Sequence, residues 1–152
     1  MAATKQLDQT KATAFEGRLV DTLNAGALSV MISVGHRTGL FDAMAELAAA
    51  SSADLARHAN QQERYVREWL GAMVSAGVAD YDPSTQSYSL PPEHAAYLTR
   101  AAAASNFAVF AQYIPLLGAV EDDVVACFAK GGGVPYARYK RFHEVMAEDS
   151  GL

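Results

Sequence analysis

Between Gly39 and Leu90 the chain alternates short amphipathic segments with turn residues in an order that few folds accommodate. The run GLFDAMAELAAASSADLARHANQQERYVREWLGAMVSAGVADYDPSTQSYSL reads as helix, helix, turn, helix and a two-stranded hairpin, the order of a winged helix-turn-helix. Leu40, Phe41, Met44 and Leu47 give the first helix one apolar face, closed by Ala48–Ala50. Ser51, with Asp54 three residues on, is a capping box for a second, short helix carrying Leu55 and Ala56 inward. Asn60 suits a left-handed turn. A third helix from near Gln62 to Ala76 places Val66, Trp69, Leu70 and Met73 on one face, with Gly77 as its C′ residue. Val78–Tyr81 and Tyr88–Leu90 then flank a Pro-containing turn.

The flanks are helical. Phe15, Leu19, Leu23, Ala27, Met31 and Val34 recur at helical spacing, and Gly35 and Gly39 bracket the expected end of that helix. Pro91-Pro92 opens another. Ser105 or Asn106 caps one from Phe107, and Pro115 splits it after Tyr113-Ile114. Leu116, Leu117, Val120, Val124 and Phe128 continue a stripe to Lys130. Gly131-Gly132-Gly133 is a break, and Pro135 starts a final helix with Tyr136, Tyr139, Phe142, Val145 and Met146. The fold class is therefore mainly α: a winged helix-turn-helix with a small β-hairpin wing, flanked by long N- and C-terminal helices. Residues 1–12 read as a disordered tail, 13–100 as the winged-helix domain with its N-terminal helix, 101–148 as a helical extension, and 149–152 as the start of a linker.

A chain of 152 residues can bury about two-thirds of its unfolded surface. At 51% hydrophobic and 19% charged it is neither disordered nor fibrous. The net charge of −5 argues against free-standing affinity for nucleic acid or an anionic membrane. No signal peptide is visible, and no run approaches the roughly 18 apolar residues of a membrane span. The single cysteine, Cys127, suits a reducing compartment, so the expectation is cytoplasmic; its place in an apolar stripe reads as structural burial.

Binding DNA through the third helix and wing requires Lys and Arg there. Arg64 and Arg67 are offset by Glu63 and Glu68, and the wing from Asp80 to Tyr88 carries two Asp and no cation. A packing or dimerisation module is the better reading, with no nucleic acid and no membrane as partner. His36, His58, His94 and His143 are dispersed and give no metal-ligand spacing; His58 and His94 read as surface residues. Lys130, Arg138, Lys140 and Arg141 are the one basic concentration, followed at once by Glu144, Glu148 and Asp149, and read as a solvated helix face.

The segment above, with the strings ISVGHRTGLFD, QERYVREWLGAMV, LPPEHAAYLTR, QYIPLLG and GGGVPY…RFHEVMAEDS, resembles the N-terminal winged-helix domain of bacterial S-adenosylmethionine-dependent, O-methyltransferase-like enzymes. The resemblance runs from about Phe15 to the end of the chain. One departure is the turn Asn60-Gln61-Gln62, where relatives place Gly and an apolar residue. The resemblance implies a homodimer formed through the N- and C-terminal helices and a lid over the methyl acceptor. His36 and His143 lie in strings similar to that family, and the aromatic side chains of Tyr113, Tyr136 and Phe142 suit the wall of an apolar acceptor pocket; these five are the candidate lid residues, each weighed against ordinary packing. The resemblance also implies a catalytic Rossmann domain, in cis beyond Leu152 or in trans, that holds S-adenosylmethionine; this chain shows no strand, Gly-rich turn and acidic residue for that cofactor, and none is expected to bind it. The alternative is a winged-helix regulator that binds DNA or a ligand.

Overall fold

The computed structural model describes residues 6–151. Helix α1 spans Gln9–Thr38. Asp8 caps it, its carboxylate accepting from the Lys11 backbone N–H at 3.2 Å. The helix therefore begins inside the stretch assigned to a disordered tail, of which residues 1–5 lie outside the described residues. It ends at Gly39, whose φ of 72° only glycine adopts without cost. Gly35 does not end it: it sits in the last turns because Trp69 lies against its Cα. The Trp69 indole N–H donates to the Met31 carbonyl at 2.9 Å, which locks the end of α1 onto the domain.

Helices α2 (Leu40–Leu47), α3 (Ser52–His58) and α4 (Glu63–Ser75) form the helix-turn-helix. Ser51 accepts from the Asp54 N–H at 3.2 Å, Asn60 turns at φ 51°, and Gly77 closes α4 at φ 68°. Gln61 donates to the carbonyls of Ala59 and Thr38, so the polar turn is tied down through its side chain. The wing has three strands where the sequence suggests two. Strands β1 (Ala49–Ala50), β2 (Asp80–Asp82) and β3 (Ser87–Ser89) form an antiparallel sheet in the order β1-β3-β2. Ala50 faces Tyr88, which on its other side faces Tyr81. Two alanines carry almost no strand signal; it is Ala48, at φ 58°, that turns the chain out of α2 and onto the sheet edge.

Beyond the wing, α5 (Pro92–Leu98) and a 3₁₀ turn over Arg100–Ser105 lead to α6 (Phe107–Ala111), α7 (Tyr113–Gly118) and α8 (Glu121–Lys130). Asn106 caps α6, accepting from the Ala108 N–H at 3.0 Å. The break between α6 and α7 falls at Gln112, ahead of the expected point after Ile114. Proline lacks the N–H that would bond back four residues, and its ring crowds the carbonyl there; the strain from Pro115 is thus felt at Ala111. The final segment also differs: Tyr136–Arg138 is a separate 3₁₀ turn, and α9 begins only at Phe142 and runs to Ser150, through the first residues of the expected linker.

The core joins Leu40, Phe41 and Met44 of α2, Leu55 and Ala56 of α3, Val66, Trp69, Leu70 and Met73 of α4, and Ala108 of α6. Phe41 and Trp69 meet edge to face with centroids 5.1 Å apart. Helix α1 adds its C-terminal half, packing on α2, α4, α6 and α7. His94, expected at the surface, is half-buried instead, its Nδ1 donating to the Val78 carbonyl at 2.8 Å and pinning α5 to the start of the wing. Among the described residues no helix is long and apolar enough to cross a membrane.

Candidate functional site

Helix α9 returns to the end of α1 through a polar network. His36, 2% exposed, hydrogen-bonds through Nε2 to Glu148 Oε1 at 2.7 Å. The fully buried Gln112 donates to the other Glu148 oxygen at 2.7 Å and accepts from Arg141 at 2.9 Å. Tyr113 adds a hydroxyl bond to Asp149 at 3.3 Å. Burial alone would raise the Glu148 pKa, but the bonds from Gln112 and His36, with the charges of His36 and Arg100, outweigh it and hold the carboxyl below its ordinary value. Burial first, then the Asp149 charge and hydrogen bond, raise the Tyr113 hydroxyl. The break at Gln112 makes this network possible, since it points that amide inward between α1 and α9.

The five residues named from sequence divide into two groups. His36 and Tyr113 lie under α9 and hold it. Tyr136, Phe142 and His143 come together at the surface: Tyr136 stacks on His143 at 6.4 Å and meets Phe142 edge-on at 5.5 Å. Tyr139 joins them through Phe142. Gln112 and Glu148, the centre of the network, carry no motif. Their only sequence signal is polarity within otherwise helical apolar stripes.

A second surface is apolar. The N-terminal half of α1 stands clear of the body, with Phe15 52% and Leu23 73% exposed and Leu19 and Val20 bare beside them. Arg18 lies over the Phe15 ring at 5.4 Å. On α8, Phe128 is 89% exposed, and Cys127, expected buried, is half-exposed beside it. Both helices present apolar side chains to solvent, and none of the described residues covers them.

The outward face of α4 carries no net charge, Arg64 and Arg67 standing against Glu63 and Glu68. Arg67 pairs with Glu63 at 3.4 Å, and the wing presents Asp80 and Asp82. Asp82 is held below its ordinary pKa chiefly by the Ser84 hydroxyl and backbone N–H, so it is firmly anionic.

The described residues do not fit a nucleotide cofactor. Their sheet is antiparallel, with strands of two or three residues, and Gly131–Gly133 leaves the C-terminus of α8 with no strand before it. Among the described residues no group of His, Cys, Asp and Glu is placed to hold a metal ion.

These elements define a winged helix-turn-helix domain with a projecting N-terminal helix and a C-terminal helical extension. Residues 26–100 match the model of the Rv2258c-like winged HTH domain. The sequence finds no match among curated proteins. Among solved structures the chain is similar to the mitomycin 7-O-methyltransferase MmcR, at 17% identity and a TM-score of 0.69, over 95% of this chain and 45% of that one. It is similar to PigF with SAH, at 17% identity and a TM-score of 0.63, over 89% and 43%. Human N-acetylserotonin methyltransferase in complex with SAM gives 18% identity and a TM-score of 0.59, over 97% and 44%. The chain thus spans less than half the length of each, and at these identities the likeness is one of fold. The fold of this chain matches under half of each of these methyltransferases.

Proposed function

We propose that this chain is the dimerisation and substrate-lid domain of an S-adenosylmethionine-dependent methyltransferase that acts on a small, partly apolar acceptor. The cofactor would be held by a catalytic domain on the same polypeptide or a separate one. The observation that carries the reading is the bare apolar stripe of α1. Each large side chain there gains about 1.5–3 kcal/mol on full burial, and a helix this long with its first half in water is marginal by itself. A twofold pairing of two such helices covers the same stripe on both copies. The aromatic patch of Tyr136, Phe142 and His143 would face the acceptor, while His36 and Tyr113 would hold α9 in register. The solved methyltransferases with SAM or SAH support this reading by their fold. No observation favours DNA binding: the face that would enter a groove pairs its Arg67 with Glu63, and its wing is acidic.

Sedimentation equilibrium of the wild-type chain and of Leu23→Glu over about a hundredfold range of concentration tests the dimer. The expected result is a self-associating wild type and a monomeric variant with unchanged helical content. A wild type that stays monomeric throughout would refute the role.

A further inference from the structure

A cavity of about 340 Å³ opens between the end of α1, helix α7, the first turn of α8 and the segment before α9. Its floor is apolar, formed by Pro115, Leu116 and Ala119. Its walls carry Arg37, Arg138, Lys140 and Arg141 against the single carboxylate of Asp123. In a chain of net charge −5 this is a local reversal of sign. Two of the cations are committed. Arg138 forks onto Asp123 at 2.8 and 3.1 Å, and Arg141 is held by Glu144 and Gln112. Asp123 and Glu144 balance those two. Arg37 and Lys140 take no salt bridge or side-chain hydrogen bond among the described residues, and Arg37 acts on Glu144 only at a distance. Two positive side chains are therefore left without a direct ion-pair partner beside the apolar lining of the cleft.

We infer that this cavity binds a small carboxylate with a flat apolar body, its anion between Arg37 and Lys140 and its body on Pro115, Leu116 and Ala119. The volume suits a small organic molecule. A guanidinium offers a planar fork for a carboxylate, and an ammonium adds a mobile point charge. Charges set against low-dielectric walls attract an anion more strongly than the same charges in open solvent. The apolar floor selects against an anion without a hydrophobic body. The site lies wholly within this chain and requires no methyltransferase activity.

The test is calorimetric and NMR titration of the whole chain with benzoate, with benzamide as a neutral isostere, and with inorganic phosphate. Benzoate should bind with a dissociation constant on the order of 1 mM, as expected for a ligand of so few atoms. Benzamide and phosphate should each bind at least about tenfold more weakly. Resonances of Leu116 and Ala119 should shift while those of Leu55 do not. Arg37→Glu and Lys140→Glu, both at exposed positions, should each weaken benzoate about tenfold or more, whereas Arg64→Glu on α4 should leave it unchanged. Equal binding of benzoate and benzamide, phosphate binding as tight as benzoate, no benzoate binding, or binding indifferent to both charge reversals would overturn the inference.

Discussion

A methyl group added to Gly35 would stand 2.4 Å from Cζ2 of Trp69 and 2.7 Å from Cε2 of Phe41. The end of α1 and the first helical layer of the winged helix meet there without a side chain between them. Gly35→Ala gains up to about 1 kcal/mol of helix propensity, but the two rings are buried and cannot retreat. We expect a net loss of about 1–3 kcal/mol, the usual cost of overpacking, and a melting temperature several degrees lower. Gly17→Ala, with nothing within 4 Å of its Cβ, should be neutral or stabilising by up to about 1 kcal/mol.

Gln112 joins Arg141 to Glu148 across the break between α6 and α7. Gln112→Leu preserves bulk and removes both bonds, leaving an arginine and a carboxylate short of partners. Urea denaturation should show a loss of about 1–3 kcal/mol. The aromatic patch on α9 should loosen with it, seen as faster amide exchange over residues 142–150.

The Glu148 carboxyl is held below its ordinary 4.5. A group depressed in the folded state adds stability above its unfolded pKa, and that stability drains as pH falls through the folded value. Stability should therefore decline below about pH 4.5. Glu144, Asp54 and Asp82 are shifted in the same direction and share in that decline. Glu148→Gln should flatten part of the acid limb of a stability–pH curve while lowering the neutral plateau. An unchanged acid limb would mean that the network does not hold a charged carboxylate.

Asn106 is fully buried and caps α6. Asn106→Ala should cost about 0.5–2 kcal/mol by thermal melting, and Asn106→Ser, which keeps a capping oxygen, less than that.

Short-range chemistry made much of the fold legible. Ser51 with Asp54, Asn60, Gly77, Asn106 and Gly39 each act where their residue type suits the backbone, and Val66, Trp69, Leu70 and Met73 share the buried face that their spacing implies. What escaped depended on partners distant in sequence. Gly35 reads as a helix end until Trp69 is seen against it. Ala49–Ala50 is a strand only because β3 lies beside it. Pro115 announces a break, but its position follows from the carbonyl it crowds. Tyr136–Val145 has helical spacing yet contains a 3₁₀ turn and an irregular stretch, where Arg138 is drawn to Asp123. Of the candidate site, the aromatic patch was visible as a composition, whereas the pairing of His36 with Glu148 joins residues 112 positions apart and left no local trace.

The account rests on the free half of α1 meeting a second copy of itself, and amide hydrogen exchange over residues 9–27 at low and high protein concentration locates that contact directly. A half-helix exposed on every side opens by fraying and exchanges fast, whereas one buried against a partner opens only with dissociation. The account predicts protection of these residues that rises with concentration and disappears in Leu23→Glu. Fast exchange of this stretch at every concentration, or concentration-dependent protection confined to α4 and the wing, would contradict it.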